Sequence, residues 1–295
     1  MNKLRIKNWV KALLVVSLLF GHCSFGQEKS GKDIKRIIAL APHAVELLYM
    51  LGAGDRIIAT TEYADYPAAA NDIPRIGGYA GIQLERVLEL EPDLIIAWEG
   101  GNKEQDIQQM QALGLPLYLS KTKDLDDIPK EMLALGKLLG LNENGKSAAN
   151  EFNSTLKQLR AKYQSKQPIK VFYQLWSEPL RAMAAGSWIN ELITSCGGVN
   201  IFSDMSLDYP QVSIETVLVQ KPDVIIIPSH HGSKIEAGKK WSSWPEIPAV
   251  KHDQIYYING DILHRFSGRI LQGMQAVCDS LENARQFQTE FKEAP

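Results

Sequence analysis

The sequence predicts an α/β protein built from two similar lobes joined by one long helix. Three observations carry that expectation. Strand-like and helix-like patterns alternate along the chain, an 18-residue stretch occurs twice, and a long amphipathic helical pattern lies between the two copies. Alternation of this kind is the mark of α/β architecture. The length of 295 residues suits about two domains.

The first 26 residues are expected to stand outside that fold. Lys3, Arg5, Lys7 and Lys11 form a basic start, ALLVVSLLF (12–20) is a short apolar run, and Ser24 and Gly26 are small. A bilayer-spanning helix needs about 20 apolar residues, so the pattern reads as a secretory signal cleaved after Gly26. Lipidation at Cys23 is the alternative, disfavoured because His22 stands where a small residue belongs. Removing the segment leaves 28 basic and 34 acidic residues, a net charge of −6. That balance excludes the basic footprint of a nucleic-acid binder. With 45% hydrophobic and 22% charged residues, the composition excludes disordered, collagen-like and small disulfide-stapled chains. The expected product is a soluble, exported, mildly acidic protein.

The elements follow in order. RIIAL (36–40), IIATT (57–61), LIIAW (94–98) and PLYLS (116–120) read as strands, with AVELLYML (44–51) as a helix among them. From about Glu143 to Ser165, Ala148, Phe152, Leu156, Leu159 and Tyr163 recur every three or four residues. A helix of that length spans roughly 35 Å at 1.5 Å per residue and makes a stiff connector. KVFYQL (170–175), VIIIP (224–228) and QIYYI (254–258) are the strands of the second half. Continuous apolar runs such as LIIAW and VIIIP fit strands buried on both faces of a parallel sheet.

The repeat is YAGIQLERVLELEPDLII (79–96) against YPQVSIETVLVQKPDVII (209–226), at a constant offset of 130 with eight identities. So long a period excludes a solenoid and predicts two lobes of one design. In each copy a short helix opens at Glu85 or Glu215, and a strand follows Pro92 or Pro222. The duplication therefore pairs Tyr79 with Tyr209 and Glu85 with Glu215. A glutamate at a helix start is favoured by the helix dipole alone; as a symmetric pair, the two would dock onto basic pockets of a two-fold partner.

Catalytic signatures are missing. No GxGxxG follows a strand, and there is no P-loop, HExxH or GxSxG. Aromatic residues are abundant instead: Tyr63, Tyr66, Tyr79, Trp98, Trp176, Trp188, Tyr209, Trp241 and Trp244 fall mostly in loops or just after strands. Ligands of parallel sheets bind beyond the carboxyl ends of the strands, so these rings are expected to line an interlobe cleft. After export only Cys196 and Cys278 remain, one ending a helix before Gly197 and one in the C-terminal amphipathic helix. An even count in an oxidising compartment favours one disulfide, two separate buried thiols being the alternative.

ALAPHAVELLYMLG (39–52), YADYP (63–67), LERVLELEPDLIIAWEGGN (84–102), CGGVNIF (196–202), YPQVSIE (209–215) and GDILHRFSGRI (260–270) together resemble the iron-siderophore, haem and cobalamin family of substrate-binding proteins. PDLIIAW followed by GGN resembles its cobalamin branch. The resemblance runs from about Ile34 to Leu281. It implies two Rossmann-like lobes (34–141 and 168–291) bridged by one helix (142–167), with limited closure. It implies no enzymatic activity and no cofactor: cobalamin is cargo, passed by a monomer to an ABC permease homodimer and its ATPase. The ligand-contacting positions it implies are Tyr66, Tyr79, Trp98, Tyr209, Asp261 and Arg265. The docking glutamates are Glu85 and Glu215, and the disulfide is Cys196 with Cys278. The best-known cobalamin binders carry tryptophan at the positions of Tyr79 and Tyr209. Trp176, a ligand residue on the aromatic pattern, has no firm counterpart in the family. Two other readings stand beside this one. A haem or ferric-siderophore carrier would use His43, His230, His231 or His264 as haem ligands and Arg265 and Arg269 against anionic cargo. A metal-dependent enzyme would rest on His230, His231 and Asp261.

Overall fold

Strands β1 (Ile37–Ala39), β2 (Ile57–Thr60), β5 (Leu94–Trp98) and β6 (Leu117–Ser120) form one parallel sheet in the order β2-β1-β5-β6 in the computed structural model, which describes residues 33–229 and 240–293. A two-stranded hairpin, β3 (Gly77–Gly78) with β4 (Gly81–Ile82), projects beside it. The crossovers carry helices α1 (Pro42–Met50), α2 (Leu84–Glu89) and α3 (Glu104–Ala112). Pro42 opens α1, where its missing N–H is no loss. Helix α4 (Ile128–Leu138) then leads into α5 (Asn142–Tyr163).

The second sheet repeats the design. β7 (Ile169–Ser177) pairs in parallel with β9 (Gly198–Asn200) and β10 (Val224–Ser229), and β10 pairs with β11 (Ile255–Asn259). The order β9-β7-β10-β11 matches β2-β1-β5-β6 when each set is ranked by chain position. β8 (Leu180–Ala182) adds an antiparallel ribbon to the far end of β7. Helices α6 (Trp188–Ser195), α7 (Ile214–Gln220), α8 (Pro248–Lys251), α9 (Asp261–His264) and α10 (Ile270–Glu293) complete the described chain. No helix among the described residues is long and apolar enough to cross a membrane. The signal-like segment, Cys23, His230 and His231 lie outside the described residues.

Period-two alternation explains why the central strands read as unbroken apolar runs. In β5, Leu94 and Ile96 point into one core while Ile95 and Ala97 point into another. In β10, Val224 and Ile226 share that first core, and Ile225 and Ile227 face a third. One core is thus common to both sheets, continuous through Leu48, Met132, Phe152, Leu156, Leu192 and Met274, and each sheet adds a private core on its outer face. Opening the lobes by a wide hinge would expose that shared core to water, at a cost in buried apolar surface.

The stripe that α5 buries is Gly145, Ala149, Phe152, Leu156, Leu159 and Tyr163. Its 22 residues extend about 33 Å. Ala149 rather than Ala148 occupies the buried row, in register with Gly145, the first residue of the stripe, which lies against Gly136 of α4. A Cβ on Gly136 would lie 2.9 Å from the Gly145 Cα, so the two glycines let these helices touch backbone to backbone. Near the other end of α5, Arg160 bonds Glu191 of α6, whose second oxygen accepts from the Leu125 N–H of the first half at 3.1 Å. Cys196, capping α6, is disulfide-bonded to Cys278 of α10.

Candidate functional site

Parallel strands place their carboxyl ends on one edge of each sheet, and the candidate residues cluster in the loops that leave those edges. Trp98 ends β5. Its N–H donates to Asn102 Oδ1 at 2.8 Å, and Asn102 Nδ2 donates to the Leu40 carbonyl beyond β1, also at 2.8 Å. Gly101 is needed because any Cβ there would collide with the Trp98 indole. The segment WEGGN is therefore a local brace that sets the indole's orientation.

Trp98 belongs to a chain of edge-to-face rings that joins the two halves of the protein. Its ring centroid lies 5.0 Å from His43 and 5.9 Å from Phe266; Phe266 lies 5.0 Å from Trp188, and Trp188 lies 6.2 Å from His264. Such geometry suits the aromatic quadrupole. Trp188 Nε1 donates to the Leu263 carbonyl at 2.8 Å, and Tyr173 and His264 share a 2.6 Å hydrogen bond. His43 Nε2 is buried without a partner. Burial, reinforced by the nearby Arg265 charge, lowers its pKa to about 4, so the imidazole is neutral at physiological pH.

A cluster of charges sits beside these rings. Glu46, the one acid on α1, has a side chain only 2% exposed. It accepts from Arg265 Nη1 at 3.0 Å, from Arg269 Nη1 at 2.9 Å and from the Ser267 hydroxyl. Arg265 also reaches Asp65 Oδ1 at 2.8 Å, the Tyr63 carbonyl at 2.9 Å and Asp261 at 2.9 Å. Burial works against the Arg265 charge, but Asp65 and Glu46 outweigh it and hold the pKa above its ordinary value. The guanidinium of Arg269 lies 3.8 Å from the centre of the Tyr66 ring.

The remaining aromatic candidates are exposed. Tyr79 sits at the tip of the β3–β4 hairpin with 85% of its surface open. Tyr66 is 45% exposed, and Tyr209 and Trp176 are likewise open. Trp176 leaves β7 with Nε1 bonded to the Glu178 carbonyl at 2.9 Å, and Arg181 holds the Tyr209 carbonyl at 3.1 Å. Glu85 and Glu215 are exposed on α2 and α7, each two residues before a fully buried valine, Val87 or Val217. Donation from the Ser213 hydroxyl, with the residue's own N–H, lowers the Glu215 pKa.

The structure thus gathers Trp98, Asp261 and Arg265 about one segment, 261–269, and sets Tyr66 against Arg269 of that segment. Trp241 departs from the expected cleft lining: it is buried, packs on Phe172 and donates Nε1 to Gln174 Oε1. Trp244 packs partly buried against the same core. Glu46, Asp65 and Phe266 stand in this cluster beside the candidates without being expected from the sequence. The signal for Glu46 was a single acid inside a mostly apolar helix. Among the described residues, no group of three His, Cys, Asp or Glu side chains is placed to hold a metal ion. A cavity of about 690 Å³ lies elsewhere, between α5 and the start of α10, lined by Met50, Phe152 and Leu271 among others.

Two like α/β halves, bridged by one helix and carrying aromatic residues at their strand ends, define a helix-bridged binding protein. Known proteins agree. A family model described as periplasmic binding protein matches residues 37–262, and the chain belongs to that family. It is 43% identical over 252 residues to the vitamin B12-binding protein of Vibrio cholerae serotype O1, covering 85% of this chain and 90% of that one. It is 37% identical over 277 residues to the vitamin B12-binding protein of Vibrio campbellii, covering 94% and 98%. The crystal structure of the periplasmic vitamin B12-binding protein BtuF of Vibrio cholerae superposes with a TM-score of 0.78 at 42% identity, covering 86% of this chain and 98% of that one. The haem-binding protein RhuT of Roseiflexus matches with a TM-score of 0.78 at 20% identity, covering 85% and 99%, which shows the fold alone. The chain is a substrate-binding protein and not an enzyme, and what it holds is cargo rather than cofactor.

Proposed function

We propose that this protein captures cobalamin or a related corrinoid in the cleft between its lobes and delivers it to the permease of an ABC importer. The observation that carries the proposal is the set of braced and exposed aromatics at the strand ends of two like sheets, in a chain whose relatives are named for vitamin B12 binding. Flat rings give a large contact area with few rotatable bonds, which suits capture of a broad planar ligand.

In this reading Tyr66, Tyr79, Trp98, Trp176, Tyr209, Asp261 and Arg265 form the ligand site. Residues 34–141 and 168–291 are the two lobes, and 142–167 is the bridge. Residues 1–26 are the export signal, with lipidation at Cys23 as its alternative, and the mature monomer works in the periplasm. Glu85 and Glu215 dock on a permease homodimer that is driven by its ATPase.

The arginines favour corrinoid cargo over haem or a ferric siderophore. Arg265 and Arg269 already face Glu46, Asp65 and Asp261, so little positive charge is left for an anionic ligand. The test is titration of the purified mature chain with cyanocobalamin, followed by tryptophan fluorescence, and with haem, followed by the Soret band. Saturable one-to-one cobalamin binding is expected. Its absence at micromolar concentrations, or a haem response alone, overturns the reading.

A further inference from the structure

We propose that Arg269 is a positioning residue that holds the Tyr66 ring in place for cargo, with the buried Glu46 fixing Arg269 in turn. This rests on the reading of Tyr66 as a cargo-facing residue. Three observations converge on it.

The first is the presence of Glu46 where nothing local calls for an acid. It stands among Ala44, Val45, Leu47 and Leu48, all buried. A buried ion pair is weak as a device for stability alone, since apolar groups of like volume serve as well or better. Glu46 instead fixes two guanidinium groups that arrive from 219 and 223 residues further along.

The second is the geometry at Tyr66. The Arg269 guanidinium is anchored to Glu46 at 2.9 Å and lies 3.8 Å from the ring centre. That is a cation–π contact at short range. Tyr66 nevertheless keeps 45% of its surface open, so contact with Arg269 leaves part of the residue for a ligand.

The third is that the whole loop is held from the same segment. Arg265 takes the Tyr63 carbonyl and the Asp65 carboxylate, and Arg269 takes the Tyr66 ring. Backbone, side chain and ring of residues 63–66 are thus each fixed by an arginine from the segment that follows β11. A ring held this way is ordered before cargo arrives, which removes an entropy cost from binding.

The test is a double-mutant cycle with two readouts. Arg269→Gln removes the cation while keeping a donor for Glu46, Arg269→Lys restores a charge without the flat fork, and Tyr66→Ala removes the ring. The first readout is the cyanocobalamin titration. Arg269→Gln is expected to weaken binding roughly three- to tenfold, the range of a cation–π contact, and Arg269→Lys to recover part of the loss. In the Tyr66→Ala background, Arg269→Gln is expected to change affinity less than about twofold. An unchanged affinity in Arg269→Gln, or the same loss with Tyr66 absent, overturns the proposal. The second readout needs no cargo: the fluorine resonance of Tyr66 in protein made with meta-fluorotyrosine, assigned by its disappearance in Tyr66→Phe. Arg269→Gln should shift and narrow it, and Arg269→Lys should shift it less. An unmoved resonance refutes the holding role whatever the cargo. A moved resonance in a protein that ignores cobalamin refutes the cargo reading and leaves the holding role standing.

Discussion

Acidification should weaken this protein through His43. The imidazole is buried, its Nε2 has no partner, and burial with the Arg265 charge depresses its pKa from 6.5 to about 4. An unfolded chain takes up the proton near pH 6.5, while the folded protein refuses it until about pH 4. Between those values the unfolded state binds more protons, so stability falls as pH falls. At about 1.36 kcal/mol per pKa unit, this one group removes about 2 kcal/mol between pH 7.5 and pH 5. The loss approaches about 3.4 kcal/mol once the pH is well below 4. The assay is urea unfolding followed by tryptophan fluorescence, at the two pH values, for the wild type and for His43→Gln. The variant has no imidazole to titrate and should lose about 2 kcal/mol less stability over that interval, whatever its stability at neutral pH. Parallel losses in both proteins, or a His43 ring that titrates near pH 6.5 by NMR, would refute the account of a buried neutral imidazole.

Other expectations follow from the same geometry. Replacing Cys196 and Cys278 by alanine opens a loop of 82 residues and should destabilise the protein by about 4.5 kcal/mol on the chain-entropy model, read as a lower urea midpoint; an unchanged midpoint would contradict it. Gly101→Ala drives a methyl into the Trp98 indole, so it should destabilise by about 1–3 kcal/mol and weaken cyanocobalamin binding in the same titration. Glu85→Lys combined with Glu215→Lys should abolish stimulation of the importer's ATPase in reconstituted vesicles while cobalamin affinity stays within about twofold. Lost ligand binding in that double variant would show that docking and capture are not separate surfaces.

What the sequence made legible has a physical pattern. The strands β5 and β10 announced themselves because both their faces are buried, so no polar residue breaks the run. The long helix is readable because its stripe repeats over about five turns; Ala149 takes the buried place expected of Ala148, and Gly145 extends the stripe ahead of it. β3, β4, β8 and β9 are two or three residues long, too short for any periodicity, and exist because their neighbours supply hydrogen-bond partners. Trp241 was misread because a tryptophan in a loop looks the same whether it faces solvent or fills a core; only Phe172 and Gln174, nearly 70 residues away, decide. The Glu46 cluster was invisible for the same reason, since its partners lie more than 200 residues away. The symmetric pairs were found because duplication carries its own long-range signal: a residue repeated at a fixed offset marks equivalent places without any contact being known.

That duplication is incomplete, and where it fails is informative. The offset of 130 that aligns Glu85 with Glu215 also aligns Trp98 with Pro228. The braced indole that ends β5 therefore has no aromatic counterpart at the end of β10. An exposed tryptophan of the second half comes instead from a different strand, Trp176 at the end of β7. The segment 261–269, with Arg265, Phe266 and Arg269, crosses to the first half. On the proposed reading the two surfaces face different partners. A homodimeric permease presents the same pocket twice and is matched by glutamates kept identical in both copies. A corrinoid has two unlike faces, and a cleft able to tell them apart must break the symmetry that the docking surface keeps. The glutamates held in register and the tryptophan that is not are then two consequences of one duplicated chain meeting a symmetric partner and an asymmetric cargo.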